Sequence, residues 1–156
     1  MTKINLCGVI PPVTTPFDAH GEIEYTSVKA QVDWLVDCGV SGIAAGGSTG
    51  EGHTLEADEF RTLIKVAFEA ADGRIDVIAG IITDSTRESV RRGQMIQDSG
   101  VAALQVTPVH YVFKPGDDDT VEHFRTLSGE TKIPIIIYNV IPWNYLSPEL
   151  LCRVMR

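Results

Sequence analysis

The segment SGIAAGGSTGEG, residues 41–52, places a short apolar run directly before a glycine-rich loop, and a helix-like pattern begins near Leu55. Glycines let a backbone turn sharply and approach a ligand closely. Adjacent hydroxyls and free backbone N–H groups suit a carboxylate or another anion. The loop lacks the Lys-Ser/Thr of a Walker A loop, and its glycines do not fit G-x-G-x-x-G. The segment predicts a site for an anion other than a nucleotide, with an ordinary tight turn as the alternative.

The same alternation of apolar runs and helical patterns continues along the chain. Runs that are apolar on both faces and rich in Val and Ile are typical of parallel strands covered by helices. The predicted strands are 7–13, 42–45, 77–81, 102–107 and 133–138, and the predicted helices are 27–38, 56–71, 86–98 and 119–128, with a fifth beginning at Pro148. Units of about 30 residues favour an α/β fold with the first five units of a (β/α)8 TIM barrel. A complete five-stranded flavodoxin-like sheet is the alternative.

Residues at the predicted helix ends support these boundaries. Ser85 with Glu88 has the spacing of a capping box, and Ser147-Pro148 has the form of an N-cap followed by a first helical residue. Glycines that suit a left-handed residue after a helix are Gly39, Gly73 and Gly100. The last helical pattern reaches Arg156 without a terminating residue. We therefore expect residues 1–156 to be one domain that forms the N-terminal part of a longer barrel.

Composition restricts the classes of partner and the compartment. The net charge is −8 with no Lys/Arg cluster, which argues against nucleic acid and anionic membranes as partners. No apolar run approaches the roughly 20 residues of a membrane span, and residues 1–5 do not begin a signal peptide. Three cysteines without C-x-x-C spacing fit a reducing cytoplasm, with Cys7 and Cys38 as buried apolar residues. Four histidines lack metal-ligand spacing, so no metal is expected.

Polar residues follow several of the predicted strands, at the end where parallel α/β proteins carry their chemistry. Ser48 and Thr49 follow the second strand, His110 and Tyr111 follow the fourth, and Tyr138 ends the fifth. Two hydroxyls and a phenol form a candidate chain for moving protons. Each residue alone also fits a structural role in a turn or core, but their joint arrival at neighbouring strand ends favours a site.

Four motifs together carry a resemblance to a known family: GGSTGEG after the second strand, VIAG at the third, TP with an aromatic-containing loop at the fourth, and IIIYNV at the fifth. In this combination the chain resembles the dihydrodipicolinate synthase/N-acetylneuraminate lyase family over essentially all of its length. The resemblance implies a (β/α)8 barrel, usually a homotetramer. It also implies a class I lyase or aldolase that binds pyruvate or a related 2-oxo acid as a Schiff base, with an aldehyde as a candidate second substrate and with no metal or organic cofactor.

The resemblance also implies roles for individual residues. Gly47, Ser48 and Thr49 match the loop that binds the 2-oxo acid carboxylate, and Ser48 is the better candidate to pass protons onward. Tyr138 matches the tyrosine that shuttles protons during imine formation and C–C cleavage. His110 stands in the place of a tyrosine that a neighbouring subunit contributes, with Tyr111 adjacent. Either side chain is a candidate for that role and for substrate binding.

The chain departs from the family pattern in two further places. The Schiff-base lysine of the family lies on the sixth strand, whereas the lysines here are at other positions: Lys3, Lys29, Lys65, Lys114 and Lys132. The sequence YNVIPWN also lacks the arginine that follows the tyrosine motif in the synthases. We therefore expect the 156-residue chain alone to be inactive. The alternative is a non-catalytic fragment or binding module that holds a carboxylate at the loop, or two half-barrels that pair.

Overall fold

The computed structural model describes residues 6–156. Its strands are β1 Gly42–Ala45, β2 Asp76–Ile81, β3 Ala103–Val106 and β4 Ile135–Ile137. Its helices are α1 Tyr25–Asp37, α2 Ala57–Ala71, α3 Thr86–Met95, α4 Asp117–Glu130 and α5 Pro148–Val154, with a short 3₁₀ helix at Pro142–Asn144. Lys3 and the rest of residues 1–5 lie outside the described part.

The four strands form one parallel sheet in the order of the chain, β1-β2-β3-β4. Ala44 pairs with Ile78, and Ile78 pairs with Ala103. A flavodoxin-like sheet would place the first predicted strand between the second and the third. Here the second predicted strand, β1, pairs directly with the third, β2. The flavodoxin-like alternative is therefore wrong, and the sequential order is that of a barrel arc.

The two faces of the sheet differ in what covers them. On one face the helices pack in chain order and form the main core, whose largest fully buried side chains include Phe60, Ile64, Leu104 and Leu127. On the other face lies a smaller cluster of Ala44, Ile78 and Ala103, with Ile136 packed against it. We call this second side the inner face, because in a closed barrel the strands turn it toward the axis.

The first predicted strand, 7–13, is not a regular strand in the structure. The segment runs parallel to β1, and Val13 N–H donates to the Ala44 carbonyl at 3.0 Å while Ala44 N–H donates to the Pro11 carbonyl at 3.0 Å. Only an isolated bridge joins Pro12 to Ala44. Two successive prolines have no N–H to donate, which limits the ladder at this place.

Some of the predicted helix ends are confirmed, and two need correction. Gly39 and Gly73 follow the C-caps of α1 and α2 and have φ angles of 76° and 69°. Gly100 also has a positive φ of 86°, but α3 ends at Met95 and not at the predicted residue 98, so Gly100 follows a turn.

Ser85 accepts a hydrogen bond from Glu88 N–H at 3.2 Å. The Glu88 carboxylate turns toward two arginines instead of back to Ser85, so the predicted capping box is only half formed. At α2 the bond from the third helical residue back to the N-cap is present, since Glu56 N–H donates to the Glu59 carboxylate at 2.8 Å.

Cys7 and Cys38 are exposed, so their prediction as buried apolar residues is wrong. Cys38 is the C-cap of α1. Cys7 is the first residue of the segment 7–13 that borders β1. Within residues 6–156 the longest helix, α2, has fifteen residues, and no helix there has the length and apolar character needed to cross a membrane.

The outer side of β4 carries an apolar groove. β4 pairs with β3 on one side, and its three isoleucines are only partly buried. Beside it lies a groove of about 510 Å³ whose lining includes Phe124, Ile135, Ile137 and Met155. Unpaired strand groups next to apolar surface favour association with another chain segment.

We expect the 156-residue chain to self-associate through the β4 side, or to be marginally stable alone. Met155 is 71 % exposed at the groove, whereas Trp34 is 63 % exposed on α1. Met155→Lys should lower the apparent mass in light scattering, and Trp34→Lys should not. A monomer of the unmodified chain with a sharp thermal transition that does not depend on concentration would contradict this expectation.

Candidate active site

The loop Gly46–Gly52, called here the glycine loop, is folded by contacts that leave no room for side chains. Gly46 has φ +66°, and a β-carbon there would lie 3.0 Å from the Phe60 ring. A β-carbon on Gly50 would lie 2.9 Å from the Val13 carbonyl oxygen, and one on Gly52 would collide with the Gly46 carbonyl. Glycine is therefore required at these places for packing as well as for conformation.

The glycine loop also lies directly on β2. A β-carbon on Gly80 would lie 2.5 Å from the Gly47 nitrogen. Gly80 is two residues after Ile78, and alternate strand residues share a face. The loop therefore bends over the inner face at the carboxyl end of the sheet.

The backbone carbonyls and amides of the glycine loop differ in their hydrogen bonding within residues 6–156. The carbonyls of Gly47 and Ser48 accept hydrogen bonds from Gly52 N–H at 3.0 Å and Glu51 N–H at 3.2 Å. The N–H groups of Ser48, Thr49 and Gly50 donate to no group within residues 6–156. The Ser48 and Thr49 side chains are exposed. A loop with its carbonyls occupied and successive amides free attracts an anion.

Two residues that the sequence analysis missed hold the glycine loop in place. Thr15 donates its hydroxyl to the Gly50 carbonyl at 2.6 Å. Arg92 of α3 donates to the carbonyls of Gly52 at 2.6 Å and Leu55 at 2.8 Å. An arginine on a helix is usually a solvated residue, so the sequence carried no signal for this contact.

Tyr138 follows β4 and continues its ladder, since its N–H donates to the Val106 carbonyl at 2.7 Å. It is half-buried, and the alternation from Ile136 places it on the inner face. The next residue, Asn139, binds the backbone of Leu146. Its side chain donates to the Leu146 carbonyl at 3.0 Å and accepts from Leu146 N–H at 2.9 Å.

Ser48, Thr49 and Tyr138 share the carboxyl edge of the sheet, but they do not follow neighbouring strands. β2 and β3 lie between β1 and β4, so that part of the expectation is wrong. Three strand spacings of about 4.8 Å separate the two strands along the sheet, and barrel curvature shortens the direct path. No hydrogen bond joins these hydroxyls within the described residues. The proton relay stays a prediction.

Thr107 is a further polar residue beside Tyr138 that the sequence analysis missed. It is 1 % exposed, and its hydroxyl has no partner within the described residues. Val106 pairs with Ile137, so Thr107 stands opposite Tyr138, one position further along. A buried hydroxyl without a partner is rare. The Thr107 hydroxyl belongs to the residue opposite Tyr138, the candidate for proton transfer.

The loop after β3 holds His110 firmly and presents Tyr111 to solvent. The His110 Nδ1 lies 3.0 Å from the Pro108 carbonyl oxygen, and the indole N–H of Trp143 donates to the His110 carbonyl at 2.8 Å. Tyr111 is 66 % exposed, and Val112 has φ +66°. Positive φ is unfavourable for a β-branched residue and marks a constrained segment. The assignment of one of these two residues to the family tyrosine stays open.

His123 is buried away from the glycine loop. Its Nδ1 lies 3.0 Å from the Thr86 hydroxyl oxygen, and burial lowers its pKa from 6.5 to about 4. The imidazole is therefore neutral at pH 7 and helps to pack α4 against α3. Within residues 6–156 no cluster of three or more His, Cys, Asp or Glu side chains is placed to hold a metal.

A sequential parallel arc, with helices on one side and polar residues at the carboxyl ends of its strands, defines the class of (β/α)8 barrel proteins. Comparison with known proteins gives the particular family. Residues 5–153 match the dihydrodipicolinate synthetase family, and the chain belongs to that family. The family resemblance and the partial-barrel fold expected from the sequence are both confirmed.

Individual relatives agree with this membership. The chain is 38 % identical over 152 residues to a 4-hydroxy-tetrahydrodipicolinate synthase of Mesorhizobium japonicum, covering 96 % of this chain and 51 % of the relative. A chloride-inhibited dihydrodipicolinate synthase of Acinetobacter baumannii, solved with pyruvate, is 30 % identical with a TM-score of 0.89, covering 94 % of this chain and 51 % of that one. An N-acetylneuraminate lyase of Mycoplasma synoviae is 26 % identical with a TM-score of 0.84, covering 95 % and 50 %. The chain spans about half the length of these relatives.

Gly80→Ala should displace the glycine loop and destabilise the chain by about 1–3 kcal/mol, because the new methyl group meets the backbone of Gly47. Gly129→Ala is the matched control. Gly129 lies in α4 with open space around it, so this change should be neutral or stabilising by up to about 1 kcal/mol. Urea unfolding measures both variants. Equal stability of the two would show that the loop does not rest on β2.

Acid should destabilise the chain through His123. A folded-state pKa of about 4 lies below the unfolded value of 6.5, so the unfolded chain takes up the proton first. Stability is lost as the pH falls from 6.5 toward 4, by up to roughly 3 kcal/mol. His123→Gln should remove this part of the pH dependence in urea unfolding, and the exposed control His20→Gln should keep it. Parallel pH curves for all three proteins would contradict the assignment.

Proposed function

We propose that these 156 residues form the carboxylate-binding part of a class I lyase or aldolase that acts on pyruvate or a related 2-oxo acid through a Schiff base. The observation that carries the proposal is the glycine loop at the carboxyl end of a parallel sheet, where three successive amides have no acceptor within residues 6–156. Membership of the dihydrodipicolinate synthetase family supports the reaction class. The pyruvate complex of the Acinetobacter relative makes pyruvate the first candidate.

The glycine loop binds the carboxylate in this proposal. Ser48 and Thr49 offer two hydroxyls beside their own amides, and the position that a Gly47 side chain would fill is open. Backbone dipoles and hydroxyls hold an anion without direct contact between the anion and a cation. The net charge of −8 of the whole chain is therefore no obstacle.

In this proposal Tyr138 transfers protons at the carbonyl group of the 2-oxo acid. When an amine adds to the 2-oxo carbon, the carbonyl oxygen must take up protons and leave as water, and the iminium that results draws electrons from the neighbouring C–C bond. A phenol on the inner face is suited to carry those protons, and Ser48 is the candidate to pass them on. His110 and Tyr111 lie on the loop after β3, the strand beside β4, where they are candidates for contact with the substrate.

The amine comes from a lysine outside the present sequence in this proposal. The lysines within the described residues, Lys29, Lys65, Lys114 and Lys132, are exposed. Two of them, Lys29 and Lys65, lie on helices and not on the inner face. The second substrate stays open, because Ile141, Pro142 and Trp143 follow the YNV motif without the arginine of the synthases.

Assembly with further copies and a cytoplasmic location belong to the same proposal. Tyr111 and Phe113 are about two-thirds exposed on the loop after β3, where the family places a residue that enters a neighbouring subunit. The thiols of Cys7, Cys38 and Cys152 are exposed and unpaired, which suits a reducing compartment. A binding module without imine chemistry is the second candidate, favoured by the open side of β4.

We expect the 156-residue chain to bind pyruvate without forming a covalent adduct. In two-dimensional NMR, pyruvate should shift the amide signals of residues 47–51. The double variant Ser48→Ala/Thr49→Ala should weaken binding by about tenfold, the effect of losing one or two hydrogen bonds to a charge. Ser128→Ala, an exposed serine on α4, is the matched control and should bind as the unmodified chain does.

Borohydride added with pyruvate distinguishes the two parts of the proposal. The mass of the chain should stay unchanged, because the Schiff-base lysine is outside it. A stable pyruvate adduct would identify one of its five lysines as the nucleophile and would overturn that assignment. Absence of any amide shift in residues 47–51 would overturn carboxylate binding by the glycine loop.

A further inference from the structure

Arg92 is a buried charge next to the glycine loop, and neither the family match nor the proposed chemistry assigns it a role. It is 6 % exposed in the middle of α3. Its Nε donates to the Glu88 carboxylate at 3.2 Å, and its two terminal nitrogens donate to the carbonyls of Gly52 at 2.6 Å and Leu55 at 2.8 Å. The guanidinium therefore binds the chain where it leaves the glycine loop and approaches α2.

Arg92 also acts on the beginning of the glycine loop, through Phe60. Its guanidinium carbon lies 5.1 Å from the centre of the Phe60 ring, within the range of a cation–π interaction. Phe60 is fully buried, and the same ring fills the space where a side chain on Gly46 would lie. One side chain thus fixes the end of the loop directly and its start through a single ring.

The chemistry of this contact requires an arginine. A buried charge is costly unless it is paired and hydrogen-bonded, and Glu88 supplies the pairing here. The planar guanidinium presents several N–H groups in fixed directions and can bind two carbonyls together, whereas a lysine ammonium is a single point. An apolar residue at this place would leave the Gly52 and Leu55 carbonyls without these donors.

We propose that Arg92 is a positioning residue for the 2-oxo acid site. It binds no substrate. It holds the carbonyls of Gly52 and Leu55 so that the amides of Ser48 and Thr49 stay directed at the carboxylate. This inference rests on the proposed function of the glycine loop, and it predicts that pyruvate affinity depends on a residue of α3 that lies behind the loop.

The test compares Arg92→Leu and Arg92→Lys with Arg91→Leu in the full 156-residue chain. Arg91 is the adjacent residue, is exposed, and also pairs with Glu88, so it controls for loss of an α3 charge. Pyruvate titration by NMR should show a loss of affinity of at least about tenfold for Arg92→Leu, since small displacements of a binding group are costly. Arg92→Lys should recover part of this loss, and Arg91→Leu should show none.

Amide hydrogen exchange gives a second readout that needs no ligand. In Arg92→Leu and Arg92→Lys, the amides of Glu51 and Gly52 should exchange faster, because their hydrogen bonds close the glycine loop, while the amides of β2 keep their protection. Pyruvate affinity unchanged in a folded Arg92→Leu chain would overturn the proposal and leave the carboxylate site intact. If the unmodified chain binds no pyruvate, the proposed function fails instead. Equal exchange of Glu51 and Gly52 in all variants would then overturn the positioning role as well.

Discussion

The contact between the backbones of Gly47 and Gly80 is the constraint on which the candidate site depends. Two segments without side chains meet at the carboxyl end of β2, where a β-carbon would lie 2.5 Å from the Gly47 nitrogen. Because nothing separates them, the glycine loop bends over the inner face of the sheet instead of outward toward α2. The direction of the loop follows from this contact, and the exposure of Ser48 and Thr49 follows from the direction.

The same fold decides which polar groups of the loop meet a ligand. Turn hydrogen bonds and the side chains of Thr15 and Arg92 occupy carbonyls of the loop and its exit. The amides of Ser48, Thr49 and Gly50 have no acceptor within residues 6–156. In the proposed function, an acidic chain binds an anion through the orientation of its peptide groups and not through a surface cation. The net charge of the whole chain therefore does not indicate which ions the glycine loop would bind.

The parts of this structure that follow from local rules were predictable from the sequence, and the parts that depend on distant contacts were not. The strands β1 to β4 are apolar on both faces and bounded by turn residues, so their existence and parallel arrangement follow from periodicity. The segment 7–13 has the same apolar pattern, but Pro11 and Pro12 lack the donors that a ladder needs. Arg92 shows only its i,i+4 pairing with Glu88 in the sequence, because the carbonyls that it binds are about forty residues away. The relative positions of Ser48 and Tyr138 could not be predicted from local patterns either. They depend on the sheet topology, which places two strands between them.

That separation explains why the two halves of the candidate site are held by different means. The amides of the glycine loop must keep fixed positions relative to one another. The loop is held by backbone packing and by contacts from Thr15 and Arg92 to its carbonyls. Tyr138 must keep one phenol in place, and a single side chain, Asn139, closes the chain behind it through two hydrogen bonds to Leu146. A change in the length or direction of β2 or β3 would move these halves apart without touching either one. The geometry of the candidate site therefore also depends on β2 and β3, the strands that lie between its two halves.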